Sequence, residues 1–244
     1  TTYPTIEQDG LVWVQPTPSE TPESTFRPYR LPHVDDAAYA TVRRRVRFQA
    51  GLHACLENAL DVPHTAFLHG GLFRGGRVPV EIEVVVRARP DGAEAEYIGE
   101  PRPEGLVGRV LAPEGGIVTH VDRFLLPSVA QVEYRLGSNH LVDTAVFTPV
   151  GEHETDLHAT ITFHLRLPHA AVRAVITPVV NRILAQDATV LRRQAENTRR
   201  FGGEHYASTE LDVLGQHIRK LLKQAARGEA RIGEAAERRI TMRV

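Results

Sequence analysis

Apolar residues recur along the chain with two different periods, and the switch between them sets the predicted architecture. Residues 42–48, Val-Arg-Arg-Arg-Val-Arg-Phe, alternate as a strand with one wetted face. A helical stretch is predicted from about Ala50 to Leu60, running into Pro63. Between Val80 and Leu167 the chain breaks into runs rich in Val, Ile, Thr, Phe and Tyr: Val80–Arg89, Ala93–Gly99, Ile117–Leu126, Val129–Leu136, His140–Pro149 and Leu157–Leu167. Turn signals such as Pro90-Asp91-Gly92, Gly137-Ser138-Asn139 and Gly151-Glu152 separate them. The gaps are too short for helical crossovers, so the runs predict an antiparallel meander. After Pro168 the period becomes 3.6: Val172, Val175, Ile176, Val179, Val180, Ile183, Leu184, Val190 and Leu191 form one stripe on a helix reaching about Arg200. A second amphipathic helix, Leu211 to Arg227, carries Leu211, Leu214, Ile218, Leu221 and Leu222 and reads as a packing element. Helix, long sheet, long helix is an α+β order, with helices laid on one sheet face.

The ends read differently. Residues 10–14 are a short strand, and 15–32 carry five prolines with Thr, Ser and Glu, a linker composition. The expected division is therefore 1–34 as the end of a preceding unit with its linker, 35–227 as the main domain and 228–244 as a tail. Charge narrows the function classes: 29 Lys+Arg against 30 Asp+Glu give a net −1, no electrostatic footprint for nucleic acid. No run of about 18 apolar residues exists to span a membrane as a helix, and the expected location is the cytoplasm. The single cysteine, Cys55, permits neither an internal disulfide nor a thiolate cluster, so a metal held by this chain must sit on imidazole and carboxylate. The first residue is Thr1, the only methionine is Met242, and Thr1–Gly10 has no apolar signal core; these point to a fragment or a processed chain.

The densest chemistry lies in residues 57–69, Glu-Asn-Ala-Leu-Asp-Val-Pro-His-Thr-Ala-Phe-Leu-His. Asp61 and His64 are three apart and share a face of a helical turn, where a carboxylate can orient an imidazole. His64 and His69 are five apart, about 140° around an ideal helix, and cannot share an ion unless the helix breaks between them. Pro63 and Gly70-Gly71 supply places for a break. The missing third ligand is sought as a carboxylate that local pattern does not explain. Asp187 falls inside the apolar stripe of the long helix, four after Ile183 and four before Leu191. Burying it is costly unless a cation neutralises it; a salt bridge to Arg182, Arg192 or Arg193 is the alternative.

The run Glu57-Asn58, Asp61, His64, His69, followed by Gln186-Asp187, Val190-Leu191 and Gln194, resembles the catalytic domain of Rieske-type non-haem iron oxygenases, from residue 35 onward. The stretch Tyr3-Pro4 through Leu11-Val12-Trp13-Val14 is similar to the closing strand of the cluster domain in such proteins. The resemblance implies a helix-grip fold, a curved antiparallel sheet around a long C-terminal helix. It also implies a mononuclear Fe(II) on His64, His69 and Asp187, with positions left open for O2 and water. Asp61 would be the electron relay from a neighbouring subunit's [2Fe–2S] cluster, in a trimer fed by a ferredoxin or flavin reductase. Hydroxylation, O-demethylation or desaturation of a small apolar or aromatic substrate would follow, with Asn58, Leu60, Phe67 and Leu68 as candidate pocket residues. One departure is large: a Rieske cluster needs two Cys and two His, and Cys55 is alone. The cluster domain is therefore expected to have preceded Thr1. A smaller departure is Asn58, three residues before Asp61 where some relatives place it four before.

Other histidines are read as structural, although His120, His140, His158 and His164 fall in strands and alternation does not say which face is inward. Cys55 reads as a small buried apolar residue. The pairs Gly70-Gly71 and Gly75-Gly76 read as a loop at the pocket mouth, because no Lys-Ser/Thr helix start follows to cradle phosphate. Two other classes remain: a helix-grip module that only binds a hydrophobic ligand, and a hydrolytic zinc enzyme on the same two His and one Asp.

Overall fold

The alternating runs form one sheet. A computed structural model describes residues 2–16, 27–70, 80–89, 91–101, 116–205, 207–229 and 236–243. Its elements are β1 (Thr5–Gln8), β2 (Leu11–Val14), β3 (Ala40–Phe48), α1 (Leu52–Leu60), α2 (His64–Leu68), β4 (Glu81–Arg89), β5 (Gly92–Ile98), β6 (Thr119–Leu125), β7 (Val129–Leu136), β8 (Asn139–Gly151), β9 (Glu154–His164), α3 (His169–Arg200), α4 (Gly215–Ala226) and β10 (Glu237–Arg243). β1 and β2 pair as a hairpin; the others make an eight-stranded sheet in the order β10-β4-β5-β6-β7-β8-β9-β3. Every pairing in it is antiparallel, as the short turns require. Gly92 has a steric reason to be glycine: a Cβ there would meet the Phe124 carbonyl oxygen at 2.1 Å.

Alternation decides which residues face the helices. Asp143, Ala145 and Phe147 of β8 stand opposite Ile161, Ala159 and Leu157 of β9, and these six share the inner face. There Phe48, Val84, Ala95, Phe124, Phe147 and Leu157 pack with Leu56 and Leu60 of α1, Leu191 of α3 and Ile218 of α4. A neighbouring cluster joins Ile161 and Phe163 to Val172, Ile176, Val179 and Val180 of α3. The long helix begins after Pro168 and lies along this face, burying Val172, Ile176, Val179, Val180 and Leu191 of the stripe read from sequence, whereas Val175 and Val190 are exposed. The N-terminal hairpin instead covers the outer face, where Leu11 and Trp13 pack with Leu31, Val129 and Val146.

Two readings of the sequence change. The segment 228–244, expected as a tail, contains β10, which pairs with β4 along its whole length and puts Met242 opposite Ile82. With Arg238, Arg239 and Arg243 flanking its only two apolar residues, Ile240 and Met242, the strand pattern is too short to register; its partner edge, not its own composition, makes it a strand. The last helix begins at Gly215 instead of Leu211, which is exposed. Most of the Pro-rich stretch, residues 17–26, and the pair Gly75-Gly76 lie outside the described residues.

Candidate metal centre

α1 stops at Leu60 because Asp61 adopts an extended backbone conformation, and a new helix, α2, starts after Pro63. This break removes the 140° separation that one continuous helix would impose. His64 sits on the first turn of α2 and His69 caps its end, and their Nε2 atoms approach to 3.2 Å. Asp187, from the middle of α3, brings its Oδ1 within 3.2 Å of His69 Nε2 and 3.9 Å of His64 Nε2. Three donor atoms about 2.1 Å from one ion would stand roughly 3.0–3.4 Å apart, close to the spacing found.

Hydrogen bonding fixes what each ring presents. His64 donates from Nδ1 to the main-chain carbonyl of Asp61, and His69 Nδ1 donates to Gln186 Oε1 at 3.0 Å. With both protons on Nδ1, both Nε2 lone pairs face the carboxylate, the tautomer that metal coordination needs. Asp187 Oδ1 is shut off from solvent and has no hydrogen-bond partner despite the short approach of His69; the contact is close but misdirected for a hydrogen bond. An orphaned carboxylate oxygen facing two imidazole lone pairs is the arrangement a divalent cation satisfies. Burial works against charge on His69, but the facing Asp187 outweighs it and raises the pKa. Among the described residues, His64, His69 and Asp187 form the only group of three His, Cys, Asp or Glu side chains close enough to hold an ion. Because Gln186 steers His69, Gln186→Leu is expected to weaken metal binding about 10–100-fold while leaving the fold intact, as checked by metal titration and circular dichroism.

Beside the triad lies an apolar cavity of about 180 Å3 between the inner sheet face and α3. Val132, Tyr134, Leu141, Phe147, Val180 and Leu184 form part of its wall, and Asn58, Thr65 and Asp143 add polar atoms. A more open cleft of about 570 Å3 lies on the other side of His64, lined by Glu57, Asp61, Leu60, Phe67, Leu68 and Asp212 among others. Burial and the neighbouring acids, offset by His64, raise the pKa of Asp61.

Of the four pocket residues expected from sequence, only Asn58 therefore lines the apolar cavity. Leu60 is buried in the core against α4, and Phe67, 89% exposed, and Leu68 border the open cleft. The reason is the turn of α2: with Thr65 and His69 inward, Phe67 and Leu68 are carried outward. Asp61 holds His64 through its main chain, where the sequence reading expected its side chain.

Three features escaped the sequence. Asp143 sits inside a strand run, where spacing gives it no role. Gln186 adjoins Asp187, but spacing does not show that it reaches His69. His120 is fully buried on the inner face, stacked between Tyr97 and Tyr134 at 4.4 and 4.2 Å. Its Nδ1 donates to Glu100 at 2.6 Å and its Nε2 to Asp122 at 2.9 Å. Burial opposes charging this imidazole, but Asp122 and Glu100 prevail and its pKa rises to about 9. For Asp143, burial and then the negative charge of Asp187 push the carboxyl up to about 7.

A family model describing the vanillate O-demethylase oxygenase C-terminal domain matches residues 48–228. Among solved structures, dicamba monooxygenase bound to 3,6-dichlorosalicylic acid matches with a TM-score of 0.69 at 17% identity, over 92% of this chain and 71% of that one. Pseudomonas putida CBB5 NdmA with caffeine gives 0.67 at 19%, over 93% and 64%. NdmB of the same organism gives 0.69 at 16%, over 97% and 66%. The chain thus spans about two thirds of the length of the NdmA and NdmB chains, and at these identities the likeness is one of fold. No curated protein matches the chain.

Proposed function

Because the chain belongs to the vanillate O-demethylase oxygenase C-terminal domain family, the catalytic domains of Rieske-type oxygenases, we propose that it is an oxidoreductase domain that binds one Fe(II) on His64, His69 and Asp187. The convergence of two imidazole Nε2 atoms on the orphaned Asp187 Oδ1 carries this reading. Two histidines and one carboxylate with room beside them are the donor set of non-haem Fe(II) oxygenases. Bound there, the ion supplies O2 activation, which no side chain of the cavity provides.

The chain's own residues do the rest. Gln186 and the Asp61 carbonyl hold the two imidazoles in register. The apolar wall excludes water and holds an apolar or aromatic substrate next to the triad, where hydroxylation or O-demethylation takes place. Electrons come from a [2Fe–2S] cluster, for which the one cysteine of residues 1–244 does not supply the ligands. Asp61, bonded to His64 through its main chain and open to the cleft, is assigned as the relay from a neighbouring subunit. The assembly is a homotrimer reduced by a ferredoxin or flavin reductase.

Anaerobic Fe(II) titration tests the reading: one ion per chain is expected. No Fe(II) uptake would leave a ligand-binding module, and tightly held zinc with metal-dependent hydrolysis would favour a hydrolase. Asp61→Asn is expected to keep the full iron content and sharply slow electron transfer in the assembled oxygenase; parallel loss of iron would make Asp61 a ligand instead of a relay.

A further inference from the structure

The apolar cavity holds one carboxyl group that the triad does not use. Asp143 lines it, and its Oδ1 is closed to solvent with no hydrogen-bond partner among the described residues. The strand register aims it there: its cross-strand neighbours Val132 and Ile161 line the same cavity. Packing does not call for a carboxylate, because the flanking inward residues of β8, Leu141 and Ala145, are apolar. A desolvated carboxylate without a partner is retained at a cost, and a ligand donor relieves it. No Lys or Arg stands among the described lining residues, so no described side chain there pairs with an anionic substrate.

We propose that Asp143 selects the substrate: a single-ring, otherwise apolar molecule bearing an N–H donor, above all an amine, and not a carboxylate. This rests on the oxygenase reading only in taking the cavity as the substrate chamber. The volume of about 180 Å3 suits one substituted ring, since roughly 150 Å3 accommodates benzene. An ammonium or N–H group against Asp143 forms a charge-assisted hydrogen bond in a site from which water is excluded. A carboxylate in the same place would lose its hydration and face another carboxyl, with no Lys or Arg among the described lining residues to pair with it.

The test is calorimetric titration of the Fe(II)-loaded chain, without oxygen, with 4-methoxybenzylamine and 4-methoxybenzoate, which share ring and methoxy group and differ in charge. The amine is expected to bind about tenfold tighter or more, and Asp143→Asn and Asp143→Leu are each expected to remove about tenfold of its affinity without weakening the benzoate. The proposal is overturned if the amine does not bind, if it binds no tighter than the benzoate, or if its advantage persists in both variants, as it would for an amine reaching the ion instead. The wild-type ratio and the second variant decide should one variant fail to fold. Iron content of the same samples separates the two readings: an iron-free chain that still prefers the amine overturns the oxygenase assignment and leaves Asp143 standing.

Discussion

Asp187→Ala is expected to abolish Fe(II) binding and at the same time to stabilise the metal-free chain. The two effects have one origin. Asp187 is 7% exposed in the middle of α3, and its Oδ1 is buried without a hydrogen bond. In the absence of a cation that oxygen has only the misdirected approach of His69 to offset a desolvation cost of about 1–3 kcal/mol, and alanine removes that cost while favouring the helix. With a cation the balance reverses, because one of three protein ligands is gone. The loss of affinity should exceed the roughly 10–100-fold typical of residues that only orient ligands. Thermal melts with and without metal, beside an anaerobic titration, read both signs. A structural salt bridge predicts the opposite pair: lower stability and unchanged metal binding. The ion-pair neighbours found for Asp187 are His64 and His69, and Arg192 pairs with Glu196, so the arginines suggested by sequence proximity do not explain the carboxylate.

The second large effect is a pH dependence centred on His120. Its imidazole is held between Glu100 and Asp122 and has a pKa of about 9, against about 6.5 in an unfolded chain. A group whose pKa is raised by folding stabilises fully below its unfolded pKa, and that stabilisation is lost as pH climbs through the folded one. The window is therefore pH 6.5 to 9, and the gap is worth about 3 kcal/mol. His120→Gln, which cannot carry the charge, leaves two buried carboxylates without their cation, a change of about 3–5 kcal/mol. Urea unfolding across that window should show wild type far more stable than the variant at pH 6 and the difference shrinking toward pH 9.5. A constant difference would mean that His120 is neutral and contributes only shape and hydrogen bonds.

What the sequence disclosed and what it withheld follow from range. The strand runs and most of the α3 stripe are legible because each depends on a period that one element repeats; Val175 and Val190, at the stripe's margin, are exposed. The helix break at Pro63 is equally local, and it lets His64 and His69 converge. Asp187 shows itself by contradiction, a charge inside an apolar stripe. Asp143 contradicts its surroundings too, but in a strand a charged residue is ordinary until the inward face is known, and that face is set by pairing with β7 and β9. β10 was missed for the same reason: its partner, β4, stands about 150 residues earlier in the chain. Phe67 and Leu68 show the same limit: spacing places them beside the ligand motif, but only the rotation of α2 decides that they border the open cleft and not the apolar cavity.

Since α3 supplies Asp187 to the candidate metal centre and Ile176, Val179, Val180, Ile183 and Leu184 to the cavity wall, one helix serves two guests. His69 and Asp187 lie more than a hundred residues apart, so an ion between them would tie that helix to α2, joining two segments distant in the chain. Whatever seats the helix for one guest seats it for the other, and thermodynamic reciprocity makes the benefit mutual. On the proposed reading, iron loading and substrate affinity are therefore expected to be coupled, and a preparation short of metal to understate how well the cavity binds.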